Sequence, residues 1–366
     1  MAGDATSIAA ADTLKPPSTR KGVVGWVRAN LFNGVFNSIL TLVTLWMLYK
    51  LVPPLVRWAF IDSAWHTGGA ACHKVSGACW SVVTQNFRFI IFGFFPYDMQ
   101  WRPLVAMLIL FALLFFSQNR KYWNRFLLYA WIAGLFAMGL LMKGGLFGLA
   151  PVDSTQWGGL PLTLLLSVFG LTAAYPLGVI LALGRQSQMS GLRTLCILYI
   201  ELIRGVPLIS LLFMASIIFP LFLPEGVTIN KILRAQVAII LFTAAYIAEV
   251  VRGGLQGMAR GQYEAAESLG LNYYLTMRLI ILPQALKIVI PPTVSILISA
   301  FKDTSLVAII ALFDLLKTSQ SVLSNPEWMG FSPEVYVFIA VIYFLGCFSM
   351  SNYSRKLERE LSTEEY

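Results

Sequence analysis

Long apolar runs alternate with short polar stretches along the whole chain. The apolar runs fall at roughly 31–52, 101–118, 126–142, 159–184, 194–222, 232–252, 286 to about 304, and 334–352. Most approach the twenty or so residues that an α-helix needs to cross bilayer hydrocarbon, so each predicts a membrane-spanning helix. Backbone groups exposed to lipid must bond within their own segment or a closed barrel. The expected fold is therefore an all-α membrane protein with about eight transmembrane helices. The first run is too long for a signal-peptide core and lacks a small-residue cleavage site, so it reads as a retained helix.

The polar stretches divide the chain. Residues 1–30, rich in Ala, Ser, Thr and Pro and carrying Lys15, Arg20, Lys21 and Arg28, are expected to form a disordered basic tail. An N-terminal extension over 31–150 holds three transmembrane helices and a loop at 53–100 that is expected outside the cytoplasm. Within that loop 89–95 is apolar but too short to span, which suits an interfacial segment or a cover over a helix end. A core over 159–352 holds five crossings, a polar loop at 253–285, and a stretch at 305–332 that reads as re-entrant. A charged tail over 353–366 closes the chain. In the 159–184 run Gly170, Ala174, Gly178 and Ala182 recur every fourth residue, a ridge of small side chains suited to close helix contact in lipid. Pro176 is expected to bend that helix locally. The 194–222 run is longer than a crossing requires and is interrupted by Arg204-Gly205-Val206-Pro207.

Composition sharpens this picture. The chain has 366 residues, 57% hydrophobic and only 12% charged, with mean hydropathy +0.71, whereas soluble domains carry about 25% charged residues. The net charge of +9 belongs to residues flanking apolar runs, and no run of mixed basic and aromatic residues suggests nucleic acid. With both termini in the cytoplasm, eight crossings place most Lys and Arg residues inside, as the positive-inside rule requires. Cys72 and Cys79 share the external loop as either a disulfide or two free thiols. Cys196 and Cys347 read as packing residues, and His66 and His73 lack the companions of a metal site. No Gly-x4-Gly-Lys-Ser/Thr phosphate loop exists, so the chain does not itself hydrolyse ATP by that route, and active transport would draw on a partner or an ion gradient.

The 253–285 loop is the most informative stretch. Gln262, Tyr263, Glu264, Ala265, Ala266, Glu267, Ser268 and Leu269 read as a short helix, and Gly270 sits where a helix ends in the left-handed conformation. Asn272 can cap a second helix whose Leu275, Leu279 and Leu282 share a face before Pro283. The small Ala265 and Ala266 admit close approach by a groove on another protein, and Glu264 and Glu267 offer it anionic anchors. Glu264-Ala265-Ala266, Gly270 and Ile280-Ile281-Leu282-Pro283 together resemble the EAA signature of bacterial importer permeases of the ATP-binding-cassette class. That resemblance implies a type I importer fold, with this loop as the coupling helix of a five-helix core that docks into the ATPase subunit.

Ionisable residues inside apolar runs are the other signal, because burying a charge is costly unless it is paired or faces water. Glu201 and Arg204, and likewise Glu249 and Arg252, stand three apart and can pair on one helix face, as interhelical glue or as the lining of an inner gate. Lys302, Asp303, Thr304 and Ser305 supply the donors and acceptors that a zwitterionic substrate needs. They serve equally as an internal ion pair and a capped helix start. Thr163 is a further pathway candidate. Glu201 to Pro207 and Lys302 to Leu306 resemble the polar amino-acid permeases, and the extension with Trp157-Gly-Gly-Leu-Pro161-Leu-Thr163 is similar to the general L-amino-acid permeases of Gram-negative bacteria. The resemblance covers about 160–352. It implies an inner-membrane, multi-pass subunit that imports L-amino acids, with no cofactor of its own. Its implied partners are an ATPase dimer carrying ATP and Mg, a second homologous permease (a heterodimer rather than a homodimer), a periplasmic amino-acid-binding protein and membrane lipid. The rival readings are an ion-coupled secondary transporter and a non-transporting membrane scaffold.

Overall fold

The computed structural model describes residues 22–362; Lys15, Arg20 and Lys21 of the expected tail, and 363–366, lie outside them. The chain separates into two units, one covering 22–65 with Ala71–Cys79 and the other His66–Ala70 with Trp80 onward.

The first unit corrects two expectations. Val23–Asn30 is a helix, α1, where a disordered tail was expected. The Thr41 hydroxyl donates to the carbonyl of Leu31 at 2.7 Å, fixing the turn that follows α1. Helix α2, Val35–Val56, runs through Pro53 and Pro54 and continues as a π turn to Ile61, so the loop expected from residue 53 starts later. Two consecutive prolines remove only two N–H donors, and the Arg57 N–H reaches both proline carbonyls. Beyond Ile61 the chain folds back tightly. The Ala64 N–H donates to Ala78 at 2.8 Å, and Cys72 and Cys79 form a disulfide with Cα atoms 5.7 Å apart. Gly77 is required there, since a Cβ would lie 2.2 Å from the Asp62 carbonyl oxygen.

The second unit is also helical. Its elements are α3 (Ser81–Phe92), α4 (Trp101–Ser117), α5 (Arg125–Lys143), α6 (Gly159–Arg185), α7 (Ser190–Gly205), α8 (Leu208–Phe213, extended by irregular turns to Phe222) and α9 (Lys231–Gln256). They are followed by α10 (Arg260–Ser268), α11 (273–288), α12 (Ile290–Asp303, extended as a 3-10 helix to Ile310), α13 (Leu315–Val322) and α14 (Ser332–Ser362). The charged tail is thus the last turns of α14 for as far as it is described.

Contacts among the helix ends sort them into two levels. Tyr353 donates to the Ser117 carbonyl at 3.1 Å and Arg120 pairs with Glu360 at 3.7 Å, so the α4–α5 turn shares a level with the end of α14. At the opposite level Arg102 donates to the carbonyls of Leu141 and Ala150, both at 2.8 Å, and Met142 and Val152 pack with Trp157. The Gly159 N–H donates to Phe313 there, and Asn230 bonds Ser154. Helix α6 starts at this second level and is about 40 Å long at 1.5 Å per residue, so Arg185 reaches the first level. There Arg185 meets Glu249 of α9 at 3.1 Å.

The α7–α8 pair leaves the first level after Arg185 and arrives at the second before Asn230. It therefore crosses once, despite a 102° bend between its halves. The interruption that the sequence marks at Arg204–Pro207 is where this bend falls. Val206 is extended (ψ 134°) and Pro207 brings no N–H, so the α-helical ladder stops. Helix α7 turns Leu195, Leu198 and Leu202 outward and buries Cys196, Ile200 and Ile203. With the bent pair counted as one span and α2 included, eight segments among the described residues are long and apolar enough to cross a membrane.

Segment 311–331 stays at the second level and folds back onto α6. Helix α3 covers the start of α6, where a Cβ on Gly159 would stand 2.0 Å from the Ile91 carbonyl oxygen. The apolar 89–95 stretch therefore serves as a cover over a helix end. Helix α6 continues unbroken through Pro176. Its small-residue ridge faces α9: a Cβ on Gly178 would come 2.6 Å from Ile247 Cγ2 and 2.9 Å from the Ala244 carbonyl oxygen.

Replacing Gly178 with leucine should wedge α6 from α9 and lower stability by about 1–3 kcal/mol, the usual range for overpacking. Gly139→Ala on α5, where a Cβ meets nothing within 4 Å, should leave stability unchanged or raise it by up to about 1 kcal/mol, the helix-propensity gain. Thermal unfolding midpoints of the two purified variants check the contrast.

Candidate coupling and transport sites

Helix α10 ends as the sequence suggests, in a complete Schellman motif. Gly270 has φ 74°, its N–H bonds the Glu267 carbonyl at 2.8 Å, and the Leu271 N–H bonds Ala266 at 3.1 Å. The Asn272 side chain then caps α11 through the Leu275 N–H at 2.9 Å. Pro283 does not end that helix. A π turn over Met277–Ile281 precedes it, and such a widened turn accommodates the missing proline donor.

Glu264, Ala265, Glu267, Ser268, Leu269 and Gly270 are exposed, and Tyr263 is half-buried. Ala266 is fully buried against its own chain, so of the two alanines only Ala265 is open to a partner. Gln262 accepts from Gln284 at 3.0 Å, which ties α10 to α11. The result is a short, well-fixed helix that displays two carboxylates and the 76%-exposed Leu269 at the first level.

The charged residues form one cluster where two separate pairs were expected. Glu249 pairs with Arg252 on its own helix and also accepts from Arg185 at 3.1 Å, with Arg204 at 3.4 Å. Glu201 pairs with Arg185 at 3.0 Å rather than with Arg204. Three guanidiniums and two carboxylates thereby tie α6, α7 and α9 together. Arg185 escaped the sequence reading because that reading sought partners only one turn away on the same helix. The Arg204 guanidinium also lies 5.6 Å over the Tyr246 ring, within cation–π range.

Asp303 borders a cavity of about 340 Å³ with Thr243, Tyr246, Ser295 and Ser299. Tyr246 therefore touches both this cavity and the cluster. Lys302 is exposed and makes no salt bridge with Asp303, and Ser305 is half-buried. Thr163 and Thr304 are fully buried and bonded within the scaffold. The Thr163 hydroxyl accepts from the Leu315 N–H at 3.0 Å, and the Thr304 hydroxyl donates to Phe301 at 2.7 Å. Neither lines the Asp303 cavity. Their level holds a residue that the sequence reading missed, Asp314, fully buried and capping α13 through the Leu316 and Lys317 N–H groups. An acidic residue inside Ala-Leu-Phe-Asp-Leu-Leu was the available signal. Among the described residues no group of three or more His, Cys, Asp or Glu side chains gathers as a metal site.

Glu249→Gln should destabilise the protein more than Glu201→Gln, because Glu249 serves three guanidiniums and Glu201 one. The loss at Glu249 should be about 1–3 kcal/mol, the cost of stranding partly buried polar partners. Denaturation of both variants in the same detergent checks the order.

Residues 174–363 match the family described as binding-protein-dependent transport system inner membrane component. The chain is 47% identical over 341 residues to the inner membrane amino-acid ABC transporter permease protein YhdY of Escherichia coli, covering 92% of this chain and 93% of that one. It is 39% identical over 435 residues to the glutamate/glutamine/aspartate/asparagine transport system permease protein BztC of Rhodobacter capsulatus, covering 98% and 99%. A crystal structure of an amino acid ABC transporter with histidines is similar at 31% identity and a TM-score of 0.50, over 55% of this chain and 92% of that one. The fold, the matched region and these full-length relatives agree: the chain belongs to the binding-protein-dependent transport system inner membrane components, as the permease subunit of an ABC importer whose ATP is hydrolysed by a separate subunit.

Proposed function

We propose that this permease imports L-amino acids from a periplasmic binding protein into the cytoplasm, and that α10 is where its ATPase docks. The observation that carries the reading is α10 itself, a rigid, exposed helix fixed to the core at the level where the turn basic residues Arg120, Lys121 and Arg125 and the tail residues Arg355, Lys356 and Arg359 also stand. By the positive-inside rule that level faces the cytoplasm. Both termini are then cytoplasmic and the binding protein approaches the opposite level.

The amino-acid substrate rests on the names of the relatives and on the chemistry of the cavity beside α12. Asp303 offers a carboxylate for an ammonium group, and the hydroxyls of Thr243, Ser295 and Ser299 offer donors and acceptors. Arg204, over Tyr246, supplies the cation for a carboxylate. A second, homologous permease would complete the pathway around a two-fold axis. Two ATPase subunits would bind ATP and Mg and push on α10, exposing the pathway to each side in turn.

ATP-driven uptake of acidic, basic and neutral L-amino acids, measured in vesicles holding the whole complex and its binding protein, tests this. Glu264→Ala and Gly270→Val should each lower uptake about tenfold or more, the factor that 1.4 kcal/mol of lost coupling represents, while the variants assemble normally. Undiminished uptake by an intact variant complex would remove α10 from the mechanism. Uptake driven by an ion gradient without ATPase would overturn the importer reading itself.

A further inference from the structure

A larger cavity, about 820 Å³, lies between the end of α5, the 151–157 connection and the starts of α6 and α9. Nothing in the transport reading uses it. Its deep wall is apolar: Leu165 and Phe169 of α6 and the open face of Gly139 on α5. Phe169 stands ten residues below the start of α6, a depth of about 15 Å, well into the hydrocarbon.

The mouth is polar and charged. Lys143 and Asp153 both border it, and Lys143 is exposed with no ion-pair partner among the described residues. Slightly deeper, Gln236 is only 8% exposed. Its amide nitrogen donates to the Leu166 carbonyl at 3.1 Å, while its oxygen and the indole nitrogen of Trp157 are buried without a partner. Gln236 lies five residues into α9, about 7 Å down, which is the depth of the interfacial layer. The wall beside Lys143 is firmly built. Arg102 holds the Leu141 and Ala150 carbonyls, and the Val152 N–H donates to Lys143 at 2.8 Å. Gly144, at φ 70°, admits this closure because a Cβ would sit 2.3 Å from the Ala150 oxygen.

We propose that this cavity binds a zwitterionic amino-phospholipid of the leaflet at the second level. One acyl chain lies along Leu165 and Phe169. The phosphate meets Lys143 and the primary ammonium meets Asp153. A headgroup carrying both charges matches a mouth carrying both, whereas a purely anionic headgroup meets Asp153 as a like charge. A free amino acid has the same charges but no tail to fill the deep wall. The proposal needs only the membrane setting and stands whatever the transported substrate is.

Native mass spectrometry of the purified, delipidated complex, titrated with phosphatidylethanolamine, phosphatidylglycerol or glutamine, tests it. One phosphatidylethanolamine per permease should remain bound, with phosphatidylglycerol held about fivefold more weakly, the ratio one charge contact at a lipid surface supplies. Lys143→Gln should lower phosphatidylethanolamine retention about fivefold, and Asp153→Asn should erase the preference between the two lipids. Gly139→Phe should fill the cavity and abolish retention. If that variant does not fold, the exposed Lys143→Gln still decides. Equal retention by Lys143→Gln and the parent protein, interchangeable lipids in the parent protein, or occupancy by glutamine in place of lipid would each overturn the proposal.

Discussion

The close approach of α6 and α9 is the contact on which the second unit depends. Lipid tails are as apolar as leucine, so helices in a bilayer gain little from burying apolar side chains against each other. What remains is dispersion between surfaces that fit, and the fit is tightest where side chains are smallest. At Gly178 the gap is too small for a methyl group. Two of the unit's apolar clusters hold buried residues of both helices. Leu162, Leu166, Ala235 and Ile239 gather α8 and the 304–312 stretch at the second level. Ala174, Ala182, Ala244 and Ile247 gather α7 and α11 toward the first.

The first-level end of the same pair carries the charges. Arg185 ends α6 and Glu249 stands in the last two turns of α9, so the seam terminates in a salt bridge. Grouping three guanidiniums around two carboxylates leaves one positive charge in excess, and the Nε of Arg204 is buried without an acceptor. Such a cluster is a poor source of stability, since desolvation offsets much of the Coulomb gain. It does fix the relative positions of α6, α7 and α9, because a single carboxylate cannot serve all three guanidiniums in another arrangement. Through Tyr246 that geometry extends to the wall of the Asp303 cavity.

Much of this was legible in the chain because the bilayer imposes simple rules. Span length, the four-residue spacing of Gly170 to Ala182, and the Gly270 stop each follow from one dominant local constraint. The misses have a common origin in long-range geometry. Pro53 and Pro54 looked like a helix end, yet α2 runs through both and continues as a π turn to Ile61. Arg204 looked like the partner of Glu201, but the bend at Pro207 and the arrival of Arg185 from α6 redistribute the bonds. Thr163 and Thr304 looked like pathway hydroxyls, but both are buried, Thr163 bonded to the returning 311–331 segment and Thr304 to its own helix. No pattern within a single helix encodes which other helix will arrive beside it.

The placement of α10 makes physical sense only with α11 included. Ala266 is buried, Met277 and Ile281 of the π turn are buried in the cluster that also holds Ala285, and Gly254 of α9 lies so close to α11 that a Cβ would stand 3.0 Å from the Ala285 carbonyl oxygen. Each contact along α10, α11 and α9 is made by small or tightly packed groups, and such interiors transmit displacement with little slack. On the other side of the unit Leu110 of α4 and Met138 of α5 pack against Leu164 and Val168, on the α6 half of the seam. A push on α10 would therefore pass through α11 to α9, while α6 is braced by α4 and α5. The two helices meet beside Glu249 and Tyr246, which borders the Asp303 cavity.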